Sequence, residues 1–211
     1  TGAAEIAEYV RGSAVLTSLN LLNNSIGPEG AKALAKALGS GKAVLTTCTL
    51  IDNNLDVDSA KMLAKIASEK QIMLSGMKRD QTEAGFRNLK PADAILIASD
   101  LQFMAVLTDL NLESNYIGND GAVAIADALK SGKAVLTDLD LNFNGIGAEG
   151  AKAIAEALGS GKAVLTSLNL TRNDIGAKGA KAIAKALGSG KAVLTSLNLT
   201  RNDIGATGAK A

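Results

Sequence analysis

Across 211 residues, 22 Lys and Arg stand against 21 Asp and Glu, and the net charge of +1 supplies no global pull toward nucleic acid or an acidic membrane. An apolar fraction of 47% is too high for disorder, and no apolar run approaches the roughly 18 residues of a membrane span. With no His, no Trp and one Cys, the chain lacks the commonest acid–base and metal-ligating side chain, and it excludes both an internal disulfide and a Cys-based zinc site.

The opening TGAAEIAEYVRGSAV (1–15) reads as a helix, the second half of a repeat without its strand. Related segments then open at Leu16, Leu45, Leu74, Leu107, Leu136, Leu165 and Leu194, at intervals of 29, 29, 33, 29, 29 and 29 residues. The expected organisation is one domain over 1–211. It comprises a half repeat (1–15), repeats 16–44, 45–73, an irregular 74–106, 107–135, 136–164 and 165–193, and a partial repeat 194–211.

Each unit reads as strand, turn and helix. In LTSLNL, Leu168 and Leu170 alternate with Ser167 and Asn169, the period of a half-buried strand. In GAKALAKALGSG, Ala31, Leu34, Ala35 and Leu38 form a helical apolar stripe, with Lys32 and Lys36 on the outer side. Gly39, Gly159 and Gly188 follow the last stripe Leu, where a left-handed cap favours Gly. Parallel strands pack at about 4.8 Å and helices at about 8–10 Å, so stacking such units predicts an α/β solenoid curved with strands concave and helices convex.

The unit 74–106 departs from this pattern. In a register opening at Leu74, Arg79 falls where a buried Leu is expected, Thr82 replaces the turn Asn, and five residues enter between strand and helix. A register opening near Ile72 is the alternative. The excursion over 78–90, with Lys78, Arg79, Phe86 and Arg87, reads either as a protruding binding loop or as a solvated seam between duplicated blocks. Residues 157–177 and 186–206 are identical, which argues against a unique catalytic set there. The chain has no initiator Met, no visible secretion signal and no polar terminal cap. These features predict an excerpt of a longer chain, a subunit whose ends neighbours cover in a larger complex, or a trimmed chain with frayed ends. The setting expected is cytoplasmic or an organellar interior.

The chemistry on offer is sparse. GSGK at 39–42, 159–162 and 188–191 resembles the tail of a phosphate loop, but Ala43, Ala163 and Ala192 stand where Ser or Thr would hold magnesium. Cys48 replaces a strand Leu and reads as a small buried hydrophobe. Asp138 and Asp140 share a strand face and read as surface charge rather than an acid–base pair. The expectation is therefore no catalytic residue, no metal and no cofactor. What remains is the outward side of the strands, graded from mildly apolar (Leu22, Ile51, Asp52) through acidic (Asp109, Asn111, Glu113, Asp138, Asp140, with Phe143) to basic (Arg172, Arg201). Leu22, Ile51 and Phe143 are the expected apolar anchors. Lys32, Lys36, Lys152, Lys181 and Lys185 make the convex side basic, without the Arg or aromatic interleaving of a nucleic-acid surface.

The pattern L-x-x-L-x-L-x-x-N-x-I-G followed by a helix resembles the leucine-rich repeat family, and its length and full helix are similar to the ribonuclease-inhibitor-like subclass, as in the repeat domains of NOD-like receptors. GAKALAKAL is also similar to repeat expansions in unicellular eukaryotes. The resemblance implies that Asn24, Asn53, Asn115, Asn144, Asn173 and Asn202 form a buried ladder bonding neighbouring backbone. For function, the repeat architecture and graded face predict a non-enzymatic scaffold that binds a protein partner on the concave face. The alternatives are a structural subunit held by its ends and the 78–90 loop or, by resemblance alone, a GTPase activator or NOD-like receptor sensor fragment.

Overall fold

A computed structural model describes residues 2–210. Its elements alternate as expected: α1 (Gly2–Gly12), β1 (Ser18–Asn20), α2 (Gly27–Leu38), β2 (Thr47–Thr49), α3 (Val57–Lys70), β3 (Glu83–Gly85), α4 (Pro91–Asp100, continued by a 3-10 turn over Leu101–Phe103), β4 (Asp109–Asn111), α5 (Gly118–Lys130), β5 (Asp138–Asp140), α6 (Ala148–Gly159), β6 (Ser167–Asn169), α7 (Gly176–Gly188), β7 (Ser196–Asn198) and α8 (Gly205–Ala209). Consecutive strands other than β2 and β3 pair in parallel and consecutive helices pack against each other, so the chain is an α/β solenoid with strands and helices on opposite sides.

One core runs between the layers. The central strand residues Cys48, Leu110, Leu139 and Leu168 point into it, as do Ala31, Leu34, Ala35 and Leu38 of α2. The helices sit close because small residues face each other. A Cβ added to Gly179 would stand 2.9 Å from the Ala151 Cβ of α6 and 2.5 Å from its own Ile175, and Gly121 and Gly150 are similarly confined. Helix ends differ from expectation. Gly39 is right-handed (φ −70), and the left-handed glycines that follow helices are Gly132, Gly161 and Gly190. The reason is an extra tight turn: Ser160 and Ser189 donate both N–H and Oγ–H to the carbonyls of Ala157 and Ala186, postponing the reversal to the second Gly.

The sheet is interrupted, with β1–β2 separate from β3–β7. The register opening at Leu74 is not the one adopted. Met73 bridges Thr47, and the carbonyls of Met73 and Leu74 accept the N–H groups of Cys48 (2.8 Å) and Leu50 (2.9 Å). The strand that pairs with β4 comes ten residues later, with Glu83 opposite Asp109. The irregular unit thus divides its strand in two: 72–74 serves the N-terminal side and β3 the C-terminal side. Extra chain enters within the strand position, not between strand and helix. Leu89, buried, occupies the ladder position expected at Thr82, and its N–H donates to Asn115 Oδ1 (2.8 Å).

Five members of the Asn ladder are buried, and the pattern is regular. Asn173 Oδ1 accepts from the N–H groups of Asn144 (3.1 Å) and Ile146 (2.9 Å), while Nδ2 donates to the carbonyls of Leu141, Leu170 and Thr171. An amide can do this because it both donates and accepts. Asn24 is the exception. It is exposed, and its side chain bonds only the Leu22 carbonyl, while its N–H donates to Asn53 Oδ1 (3.0 Å).

Candidate functional site

Parallel pairing lines up the outward strand residues in rows. Glu83, Asp109 and Asp138 are opposite one another on β3, β4 and β5, followed by Ser167 and Ser196; Gly85, Asn111, Asp140, Asn169 and Asn198 make the next row. Neighbouring strands are about 4.8 Å apart, so three carboxylates share one short row. Burial and the charges of Asp138, Glu83 and Asp140 push the Asp109 carboxyl above its ordinary range. Like charges directly opposite on adjacent strands destabilise a sheet, and the one side-chain hydrogen bond in this row among the described residues is the one Asp138 accepts from Thr137 Oγ1 (2.9 Å).

The second row has a structural duty. The side chains of Asn20, Asn111, Asp140, Asn169 and Asn198 each accept the N–H two residues on, closing the turn that leaves the strand. Asp140 also accepts from Asn169 Nδ2 (3.0 Å), and Glu113 accepts from Asn142 Nδ2 (2.8 Å). Asn111 and Asp140 therefore shape the face as well as colouring it, whereas Asp109 and Asp138 are the freer charges.

Three residues past each strand the chain passes through a left-handed residue: Asn23, Asp52, Asn88, Ser114, Phe143, Arg172 and Arg201, all with φ between 53° and 60°. Asn and Asp tolerate this conformation; Phe and Arg pay about 1–2 kcal/mol for it. The amides of Phe143 and Arg172 extend the inter-strand ladder to the carbonyls of Thr171 and Thr200. This rim borders a groove of about 630 Å³ lined by Tyr116, Phe143, Arg172 and Arg201, together with Asp174 and Asp203. Tyr116 is 69% exposed and Phe143 54%. Among the described residues neither Arg172 nor Arg201 forms an ion pair.

The other expected residues divide. Leu22 is half exposed, as an anchor requires. Ile51 is not: it is 6% exposed and belongs to the core. Nearby, Gly76 of the irregular unit backs onto Thr49, two residues before Ile51. Asp52 is half-buried, with its N–H given to Asp93 Oδ1 (2.8 Å). The 78–90 excursion is not a free loop over its whole length. Glu83–Gly85 is strand, Leu89 is buried, and Arg79 folds back, donating to the Gln71 carbonyl (2.8 Å) and lying 5.1 Å from the Phe103 ring centre. Lys78 stays exposed. Arg87 leaves β3 exposed on the strand face, beside Asn111 and Glu113, whereas Phe86 is not a free loop side chain: it is partly buried against the core, level with the buried Leu112 and Leu141 of the next units. Burial pushes the Cys48 thiol up to about 12, which suits a core side chain and not a nucleophile.

Sequence reasoning found Phe143, Arg172 and Arg201 but not Tyr116, which lies outside the strand periodicity, nor the two buried carboxylates on α4, Asp93 and Asp100. Asp100 accepts from the N–H groups of Leu74 and Ser75 and from the Ser75 hydroxyl (2.6 Å), and burial outweighs these bonds to raise its carboxyl to about 6. Among the described residues no group of three metal-ligating side chains converges, and no helix is long and apolar enough to cross a membrane.

A family model described as Leucine Rich repeat matches residues 12–35, 104–126, 133–155, 162–184 and 191–211, together more than half the chain. The unmatched stretch contains the unit in which the strand is divided. No curated protein matches the chain.

Proposed function

Because this chain belongs to the leucine-rich repeat family, whose repeats generally mediate protein–protein interaction, we propose that it is a non-enzymatic scaffold that takes a protein partner on its strand face, and that the partner presents a basic segment. The observation that supports this is the row Glu83, Asp109 and Asp138, three carboxylates on adjacent strands without a cation among the described residues. The row costs the fold stability, and an opposing basic segment relieves it. Asn111, Glu113, Asp140 and the half-exposed Leu22 belong to the same outward surface. The 29-residue period supports the ribonuclease-inhibitor-like subclass within the family.

The test is capture of partners from source lysate on the immobilised chain at two ionic strengths. Wild type is expected to retain a protein that Glu83→Gln/Asp109→Asn/Asp138→Asn loses, and high salt is expected to release it. Equal retention by both chains at both salts overturns the reading.

A further inference from the structure

We propose that the groove beside the strand rim is a second docking site, separate from the acidic row, for an extended peptide segment that carries an apolar side chain followed by carboxylates. The first support is the residue choice. The rim position imposes left-handed backbone in every unit, and the early units meet it with Asn23, Asp52 and Asn88. Phe143, Arg172 and Arg201 occupy the same conformation in three consecutive units, where Asn or Gly relieves strain. Their side chains, not their backbones, are what the position gains.

The second support is what those side chains build. Tyr116 and Phe143 are two of the chain's five aromatic residues, and both stand exposed on one groove of about 630 Å³. Aromatic faces with half their surface in water make apolar anchors for a partner. Arg172 and Arg201 follow one and two units further along, without an ion pair among the described residues. Asp174 and Asp203 line the groove too, and neither pairs with these arginines, so the guanidinium groups remain open to a carboxylate fork.

Spacing sets the intervals along the occupant. Units advance by about 4.8 Å, and same-side residues of an extended peptide are about 6.8 Å apart. An apolar side chain seated between Tyr116 and Phe143 therefore places the residues two and four positions on over Arg172 and Arg201.

The experiment is selection of a displayed library of random linear peptides on the chain, followed by fluorescence anisotropy of the synthesised winner. Enrichment of an aromatic or aliphatic residue followed at two and four positions by Asp or Glu is expected. The triple variant Phe143→Asn/Arg172→Asn/Arg201→Asn should weaken the winner at least about tenfold, while its unfolding midpoint stays level or rises because Asn suits the backbone. Asp109→Asn/Asp138→Asn should leave the affinity unchanged, which separates this site from the strand-face reading. Enrichment of basic peptides, no enrichment, full affinity in the triple variant, or loss in the Asp109/Asp138 variant each overturns the proposal.

Discussion

The Asn ladder allows one substitution to be made at chemically equivalent turns in different structural settings. Asn173→Ala removes an acceptor for two buried amides and a donor shared among three carbonyls. Two N–H groups of one amide serve the three carbonyls, so about four net hydrogen bonds are lost, at about 1 kcal/mol each, or about 4 kcal/mol altogether. Asn202 sits in an identical local sequence, ALGSGKAVLTSLNLTRNDIGA, and keeps only the donor half: Nδ2 bonds Leu170, Leu199 and Thr200, while Oδ1 is buried and unpartnered among the described residues. Asn202→Ala should cost about 2 kcal/mol. Asn24→Ala, which loses one exposed bond, should cost about 0.5 kcal/mol. Urea unfolding followed by far-ultraviolet circular dichroism measures the series. Amide exchange at Asn144 and Ile146 locates it, since a solenoid end can unfold before the middle. Costs that do not fall in the order 173, 202, 24, or full protection of both amides in Asn173→Ala, would refute the reasoning.

Gly179→Ala should destabilise by about 1–3 kcal/mol in thermal unfolding, although the same change stabilises an ordinary helix, because the new Cβ meets Ala151 and Ile175. Asp100 gives a pH signature. Its folded pKa, about 6, exceeds the unfolded value near 3.8, so the folded state holds the proton more tightly and stability falls as pH rises from about 4 to about 6, then levels. The stability difference between wild type and Asp100→Asn should slope only in that window; a flat difference removes the buried-carboxylate account. On the strand face, Asp138→Asn should lower the Asp109 pKa in a carboxyl-detected NMR titration, since the charge of Asp138 helps raise it; an unmoved titration would remove Asp138 from the causes and leave burial with Glu83 and Asp140.

The fold was legible because every local signal repeats. Leu168 and Leu170 show the strand, Ala31, Leu34, Ala35 and Leu38 show the helix, and copies confirm each other. The errors came where copying fails. Leu74 carries the repeat's Leu yet does not open its strand, because the pairing of Met73 with Thr47 fixes the register, and backbone pairing leaves no mark on a single side chain. Ile51 alternates correctly with its neighbours yet is buried, because alternation shows which side of the strand a residue takes and not whether that side is covered. Phe143, Arg172 and Arg201 were legible as outward residues; their left-handed backbone was not, since the local sequence lacks the Asn or Gly that signals it.

The divided unit also explains why the charged carboxylates of α4 lie inside the molecule. Breaking the sheet between β2 and β3 leaves backbone amides on the N-terminal side without a strand partner, and a buried orphan amide costs about 1–3 kcal/mol. Asp93 accepts from Asp52 and Lys90, and Asp100 from Leu74 and Ser75. Two side chains of one helix thus replace sheet pairing across the break, and a carboxylate suits this duty because it accepts several amides and donates none. α4 is accordingly sunk among its neighbours, with eight of its ten residues buried, and it continues the helical layer where the sheet does not. Continuity of the solenoid therefore passes through helices at this unit. The five-stranded sheet beyond it holds the acidic row and the rim groove on a single face, set apart from the uncharged N-terminal pair of strands.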